Sequence, residues 1–187
     1  VVFVVADVTG HGVSAALGAA MLKVLWEDAV SETDGPGMVL AMINKRFMEI
    51  SLEEDFCSMA VATFHRETGK LRYASAGHEP AFLLRNSRVR RTLDSTGPVL
   101  GVVPEGAWET TEQEVTAEDI LFLYTDGLTE AHSPDGEPLG RERLIDWLAE
   151  IPAEDVDSLI HELLRKTDDF RSSKKQEDDI TLLATRM

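Results

Sequence analysis

The sequence predicts an α+β domain in which helices cover antiparallel sheet. Apolar residues recur at helical spacing near both ends of the chain, and in the middle they alternate with polar residues over short stretches. The connections between the alternating stretches are short turns typical of hairpins, so the sheet is predicted to be antiparallel. With 187 residues, 43% of them hydrophobic, the chain is long enough for a sizeable core. We expect a single domain over residues 1–187.

The elements follow in chain order. Residues 1–6 are an unbroken apolar run, which predicts a strand buried on both faces. Apolar residues at helical spacing predict one helix from residue 13 and a second from Pro36 to Ile50, with a Gly-Pro break between them. Period-two stretches predict strands at 56–66, 70–76, 81–85, 89–93 and 108–115. The remaining predicted elements are buried-looking strands at 120–125 and 180–185 and helices at 141–150 and 153–170.

Charge and composition exclude several classes of function. The net charge of −16 argues against nucleic acid as the main partner and disfavours an anionic membrane surface. No apolar run approaches the roughly 18–20 residues that a membrane-spanning helix needs, so we expect no membrane insertion. The lone cysteine, Cys57, excludes an internal disulfide and suits a reducing cytosol. We therefore expect a cytoplasmic protein.

Aspartates stand at the ends of the three strands that look most buried. Asp7 and Asp126 each follow such a strand, and the pair Asp178-Asp179 precedes the third. If the third strand runs antiparallel to the others, these acids lie at one edge of sheet. Carboxylates gathered there repel one another unless a hard cation such as Mg²⁺ or Mn²⁺ binds them. The alternative is that each aspartate caps a helix or opens a turn.

Five motifs in order resemble those of the bacterial PP2C-type (PPM) serine/threonine phosphatases, of the stage-II-sporulation-E and sigma-factor-regulator kind. The first, Asp7-Val8-Thr9-Gly10-His11-Gly12, looks like the "D-V-[ST]-G-H-G" segment of that family. The other four span the rest of the chain: Ala74-Ser75-Ala76-Gly77-His78-Glu79-Pro80, Gly97-Pro98-Val99-Leu100-Gly101, Leu123-Tyr124-Thr125-Asp126-Gly127 and Asp178-Asp179-Ile180-Thr181.

The resemblance implies a particular fold and metal site. The fold is a four-layer αββα sandwich of two antiparallel β-sheets flanked by α-helices, and aspartates at one edge hold two Mn²⁺ or Mg²⁺ ions. By the resemblance, Asp7 bridges the metals, the carbonyl of Val8 is a further ligand, Asp126 binds one metal and Asp178 completes the set. The sequence does not separate Asp178 from its neighbour Asp179 as the ligand.

The implied reaction is hydrolysis of phosphoserine or phosphothreonine by metal-activated water, with Asp7, His11 and Asp126 as the catalytic residues. His11 is the candidate general acid for the leaving group; the alternative is that it caps or packs at a helix start. His78 is expected to hold its own turn by hydrogen bonds. The implied substrate is a phosphorylated regulatory protein, such as an anti-sigma-factor antagonist.

A competing hypothesis is a degenerate, non-catalytic PP2C-like module that docks a signalling partner. The family carries a further metal-binding aspartate in an upstream "G-G-D" motif, which this sequence does not contain. We expect that one or more N-terminal strands, and a sensor or receiver domain, precede residue 1. A homodimer is left open.

Two surface features also have two interpretations each. Arg85, Arg88, Arg90 and Arg91 are either a solvated hairpin or a docking spot for an acidic partner. The polar segment 129–139, just after Asp126, is either a flap that gates substrate or a surface loop.

Overall fold

The computed structural model describes residues 1–10, 12–51, 55–152, 155–172 and 174–187. Its elements, in chain order, are β1 (Val2–Val8), α1 (Val13–Glu32), α2 (Pro36–Ile50), β2 (Cys57–His65), β3 (Lys70–Ala76), β4 (Ala81–Arg85), β5 (Arg88–Leu93), β6 (Thr111–Glu114), β7 (Ile120–Tyr124), α3 (Asp126–Thr129), α4 (Gly140–Glu150), α5 (Val156–Arg171) and β8 (Leu182–Arg186). The chain divides into two compact units. The first comprises Val1–His78 and Asp94–Val115, and the second comprises Glu79–Leu93 and Thr116–Met187.

The first unit is an antiparallel sheet of order β1-β2-β3-β6 covered by α1 and α2. Alternate residues of β2 and β3 point at the helices, as the period-two pattern of these strands predicts. The resulting core combines apolar residues of both helices and of these strands, including Leu22, Leu25, Leu40, Ile43, Phe47, Met59, Val61 and Ala74.

The second unit is an antiparallel sheet of order β5-β4-β7-β8 with α4 and α5 packed against it. Its core is built from the same kind of alternation: Phe82, Leu84, Ile120, Phe122 and Tyr124 from the strands, and Leu144, Leu148, Leu159 and Leu163 from the helices. The predicted α+β class, with two antiparallel sheets and flanking helices, is confirmed.

The prediction that three strands are buried on both faces holds for β7 alone. All five residues of β7 are buried; it lies between β4 and β8, and Ile120, Phe122 and Tyr124 belong to the core that the strands share with the helices. In β1 only Val5 is buried, and β8 is half-buried. Both are edge strands of their sheets, so apolar composition overstated how much of their surface is covered.

Several further boundaries differ from the prediction, most of them by one or two residues. The strand predicted at 108–115 is confined to β6; Trp108 lies before it, with a buried side chain that donates from Nε1 to the carbonyl of Pro98. Strand β8 begins at Leu182 rather than at residue 180. The short helix α3 was not predicted. The last predicted helix begins at Val156, where Asp155 caps it by accepting from the backbone N–H of Asp157 and Ser158; residues 153 and 154 lie outside the described residues.

No helix in the described ranges combines enough length and apolarity to cross a membrane.

Candidate metal centre

Asp126 is placed by the junction between β7 and α3. Strand β7 ends at Tyr124, Thr125 is extended, and Asp126 is the first residue of α3. The Asp126 carbonyl accepts from the N–H of Glu130 at 2.8 Å and from the hydroxyl of Thr129 at 3.1 Å. The backbone of Asp126 is therefore fixed by α3, while its carboxylate is left for another role.

Thr125 joins this junction to the segment that precedes β8. Its backbone N–H donates to the carbonyl of Thr181 at 3.1 Å. Its hydroxyl donates to the carbonyl of Asp179 at 3.0 Å and accepts from the N–H of Thr181 at 2.9 Å. Because β7 and β8 are antiparallel, the end of one strand lies beside the start of the other. Thr125 extends that pairing through its side chain and so brings residues 178–179 beside Asp126.

The carboxylates of Asp126 and Asp178 come together as the antiparallel arrangement predicts. One oxygen of each lies within 4.8 Å of the other. Oδ1 of Asp126 is buried and has no hydrogen-bond partner among the residues that the structure describes. Oδ1 of Asp178 accepts from the N–H of Asp179 at 2.8 Å. A buried carboxylate oxygen without a donor, next to a second carboxylate, is unfavourable unless a cation binds there.

Gly127 allows this close approach. A Cβ placed on Gly127 lies 2.4 Å from the carbonyl oxygen of Asp179, a distance that real Cβ atoms essentially never show. Any side chain at residue 127 therefore displaces the segment that carries Asp178. The glycine after Asp126 is explained by this packing, since its φ lies outside the left-handed region.

Asp178 and Asp179, which the sequence could not separate, have different surroundings. The Asp178 carboxylate belongs to the acidic group with Asp126, whereas the Asp179 carboxylate does not belong to any such group in the described ranges. Asp179 contributes its backbone: its carbonyl accepts from Thr125 and lies against Gly127. The geometry therefore favours Asp178 as the side-chain ligand.

Asp7 and Val8 lie in the first unit, at the end of β1. Asp7 is half-buried and faces Ser58 across the β1–β2 pair, and Val8 faces Cys57. The N–H of Thr9 donates to the carbonyl of Phe56 at 3.1 Å. Ladder bonds in an antiparallel pair fall on alternate residues, so the N–H and C=O of Val8 point away from β2, towards the outer edge of the sheet. The carbonyl of Val8 is thus not used by the β1–β2 ladder.

The turn after β1 is anchored to β2 by Thr9. The hydroxyl of Thr9 donates to the carbonyl of Phe56 at 2.9 Å and accepts from the N–H of Phe56 at 3.2 Å. Gly10 and Gly12 both have positive φ, which glycine adopts without strain, and Gly12 precedes the first residue of α1. His11, the predicted general acid, lies between these glycines but outside the described residues.

The Asp126–Asp178 pair has the chemistry of a site for a hard cation. Its donors are carboxylate oxygens, which suit Mg²⁺ and Mn²⁺. The orphaned Oδ1 of Asp126 and the close approach at Gly127 both fit a bound ion. Cys57, by contrast, is buried, and burial raises the pKa of its thiol to about 12, so it offers no thiolate at neutral pH.

Two contacts near the strand ends were missed from the sequence. His78 bonds to Ser58 on β2, with 2.7 Å between Nδ1 and Oγ. In the second unit the buried Tyr124 donates its hydroxyl to Glu79 at 3.1 Å. Both His78 and Glu79 belong to the motif Gly77-His78-Glu79-Pro80. The motif therefore marked these residues, but sequence spacing does not predict which residues they contact.

The basic cluster of β4 and β5 is partly neutralised. Arg85 makes two hydrogen bonds to the fully buried carboxylate of Asp119, at 2.9 and 2.7 Å, and Arg90 donates to it at 3.0 Å. The register of β4 and β5 shifts between Leu83 and Leu84, which leaves Arg90 as the extra residue of a β-bulge. Two of the four arginines are thus structural, which favours the interpretation as a solvated hairpin.

The segment after α3 is a hydrogen-bonded hairpin. His132 and Pro138 form an antiparallel bridge, and the N–H of Leu139 donates to the carbonyl of Ala131 at 2.8 Å. These contacts favour the interpretation of 129–139 as an ordered surface loop.

The comparisons with known proteins agree with the fold and the motifs. The family model "Stage II sporulation protein E (SpoIIE)" matches residues 1–187. Phosphoserine phosphatase RsbU of Bacillus subtilis (strain 168) is 30% identical over 186 residues, which cover 97% of this chain and 54% of RsbU. Protein IcfG of Synechocystis sp. (strain ATCC 27184 / PCC 6803 / Kazusa) is 33% identical over 132 residues, which cover 69% of this chain and 20% of IcfG. The chain therefore spans about half or less of the length of these relatives.

Among solved structures, the SiaA-PP2C domain of Pseudomonas aeruginosa superposes with a TM-score of 0.89 at 20% identity. The match covers 100% of this chain and 75% of that one. At this identity the likeness establishes the fold: two antiparallel sheets with flanking helices, as in PP2C domains. The match of the family model over residues 1–187 shows that this chain, which has the fold of a PP2C domain, belongs to the stage II sporulation protein E (SpoIIE) family.

Proposed function

We propose that this chain is a metal-dependent protein serine/threonine phosphatase. The observation that carries the proposal is the Asp126–Asp178 pair, with its orphaned buried oxygen at the ends of two antiparallel strands. Membership of the SpoIIE family and the 30% identity to a phosphoserine phosphatase support it. The substrate class is phosphoserine or phosphothreonine on a small regulatory protein, such as an anti-sigma-factor antagonist.

We propose that Asp126 and Asp178 would supply two carboxylate ligands and that Asp7 would supply a further one. The outward-facing carbonyl of Val8 is a further ligand. Asp179 holds the segment in place through its backbone rather than through its carboxylate. The set consists of oxygen donors, which suits either Mn²⁺ or Mg²⁺.

Two bound ions supply an activated water and neutralise charge on the phosphate oxygens. The chain's own residues do the rest. Asp7, Asp126 and Asp178 fix where the ions lie, and Thr125 and Gly127 keep Asp178 against Asp126. His11 gives a proton to the serine or threonine oxygen as its bond to phosphorus breaks. Cys57 takes no part, because a buried thiol with a raised pKa is a poor nucleophile.

Mn²⁺-dependent release of phosphate from a phosphoserine protein tests this function in the full-length protein. Asp126→Asn keeps the size of the side chain and removes its charge, and we expect the rate to fall by at least about 100-fold, since even residues that only support metal ligands contribute about 10–100-fold. Asp135→Asn makes the same change of charge on an exposed residue and is the matched control, with a rate like that of the wild type. Absence of metal-dependent release from the wild type identifies the chain as a non-catalytic binding module. Full activity of Asp126→Asn refutes the site.

A comparison of leaving groups tests the role of His11. A serine alkoxide needs a proton to leave, whereas the phenolate released from p-nitrophenyl phosphate does not. We expect His11→Gln to slow hydrolysis of phosphoserine by about 10²–10⁴-fold and to have a much smaller effect on the aryl phosphate. Equal losses on both substrates rule out a role as proton donor.

The cytoplasmic location, the homodimer and the upstream sensor or receiver domain stay predictions from the sequence.

A further inference from the structure

A short hydrogen bond joins the side chains of Ser58 and His78. Ser58 lies on β2, the strand that pairs with the strand of Asp7. The distance between Ser58 Oγ and His78 Nδ1 is 2.7 Å, and His78 is only 4% exposed. All three residues lie in the first unit. The proposed ligand set does not use Ser58 or His78, so this buried pair calls for an explanation.

Ser58 lies directly opposite Asp7 in the β1–β2 register. Opposite residues of an antiparallel pair project from the same face of the sheet, with Cβ atoms about 4.5–5.5 Å apart. A serine hydroxyl and an aspartate carboxylate are each one bond beyond Cβ. The side chains of Ser58 and Asp7 are therefore neighbours on one face of the sheet.

The turn that carries His78 is also held by contacts of Gly77. Gly77 has a φ of 61°, and its N–H donates to Ser95 Oγ at 2.8 Å and to the carbonyl of Gly97 at 3.2 Å. A Cβ on Gly77 lies 2.3 Å from a side-chain carbon of Val99, so close packing also fixes this residue. These contacts hold the turn, and the imidazole of His78 bonds to Ser58 on the strand β2.

We infer that His78, acting through Ser58, positions the Asp7 carboxylate for metal binding; the inference rests on the role of Asp7 in the proposed function. His78 donates its Nδ1–H to Ser58 Oγ, which leaves the hydroxyl proton of Ser58 to donate to a carboxylate oxygen of Asp7. Supporting hydrogen bonds of this kind orient a ligating carboxylate. His78 and Ser58 are thus positioning residues.

Mn²⁺ affinity of the full-length protein, measured by electron paramagnetic resonance of the free ion, tests the inference. We expect Ser58→Ala and His78→Leu to weaken binding by about 10–100-fold, the usual effect of losing an outer-shell partner. His78→Asn, whose amide can donate near the position of Nδ1, is expected to restore affinity to within a few-fold. Thr110→Val is the matched control, because it removes a hydroxyl that accepts from Gly37 in the same unit, and we expect unchanged Mn²⁺ affinity.

The tautomer of His78 gives a second readout that needs no variant. Imidazole nitrogen chemical shifts in the wild type with Mg²⁺ distinguish protonated Nδ1 from protonated Nε2. The proposed hydrogen-bond chain requires protonated Nδ1. A His78 that is protonated at Nε2 and not at Nδ1 overturns the proposed chain, because the hydroxyl of Ser58 then donates to Nδ1 and cannot donate to Asp7.

Asp7→Asn separates this inference from the proposed function. If Asp7→Asn leaves Mn²⁺ affinity unchanged, the role of Asp7 in the metal site is wrong. If Asp7→Asn weakens binding while Ser58→Ala and His78→Leu do not, the metal site stands and the positioning role is refuted.

Discussion

Replacement of Gly127 by alanine tests how closely the Asp178 segment must approach Asp126. The added Cβ lies 2.4 Å from the carbonyl oxygen of Asp179 and 3.0 Å from its carbonyl carbon. Ordinary contact begins at 3.4 Å, so the backbone at residue 179 must move by about 1 Å. That backbone cannot move freely, because Thr125 holds the same carbonyl.

The expected cost follows from overpacking. An extra methyl group in a well-packed site destabilises by about 1–3 kcal/mol. For a protein of this size about 1 kcal/mol lowers Tm by roughly 2–4 °C, so Gly127→Ala is expected to lower Tm by about 2–12 °C. A displacement of about 1 Å at a catalytic group lowers the rate by about 100-fold.

Thermal unfolding with and without Mn²⁺ measures the loss of stability, and phosphate release measures the loss of rate. We expect Gly127→Ala to lose most of the stabilisation that Mn²⁺ gives the wild type. Gly35→Ala is the matched control, because a Cβ there meets only ordinary contacts at 3.5–3.7 Å. A Gly127→Ala protein with wild-type Tm and wild-type Mn²⁺ dependence refutes the packing explanation.

Three further predictions follow from other buried groups. Thr125→Val removes the hydroxyl that bonds to residues 179 and 181, and we expect a loss of about 1–3 kcal/mol in the free energy of unfolding, with weaker Mn²⁺ binding, measured by denaturant titration and by calorimetry. Burial raises the pKa of the Asp119 carboxyl, but the hydrogen bonds from Arg85, from the Thr116 N–H and from Arg90 outweigh burial and hold that pKa below its usual range. Its contribution to stability is therefore present above the unfolded-state pKa of about 3.9 and is lost as pH falls through the lower folded-state pKa, so Asp119→Asn is expected to lower stability at pH 7 and to flatten the acid limb of a stability–pH profile. The Cys57 thiol is expected to resist iodoacetamide at pH 8 in the native protein and to react after unfolding; rapid labelling of native protein contradicts its burial.

The pairing of Asp126 with Asp178 could be predicted because it depends on local signals alone. Each acid adjoins a strongly apolar strand, and the antiparallel order of β7 and β8 then places both acids at one edge. The strands at 70–76 and 81–85 were also predicted with their observed bounds, since their alternation is bounded by clear turns.

The burial of β1 could not be predicted from its apolar run. A run of this kind is the same for a central strand and for an edge strand, and position within the sheet decides how much is covered. The contacts of Thr125 and His78 could likewise not be predicted from the sequence. Thr125 bonds to residues more than 50 positions away, and His78 bonds to Ser58 20 positions away, so no spacing rule connects them.

Anomalous X-ray diffraction from crystals soaked in Mn²⁺ tests the central claim most directly. We predict an anomalous peak within coordination distance of carboxylate oxygens of Asp126 and Asp178, with Asp7 as a further ligand. The same soak of Asp126→Asn crystals is expected to lose or weaken this peak. Ordered Mn²⁺ bound only at other acidic residues, with none between Asp126 and Asp178, contradicts the account.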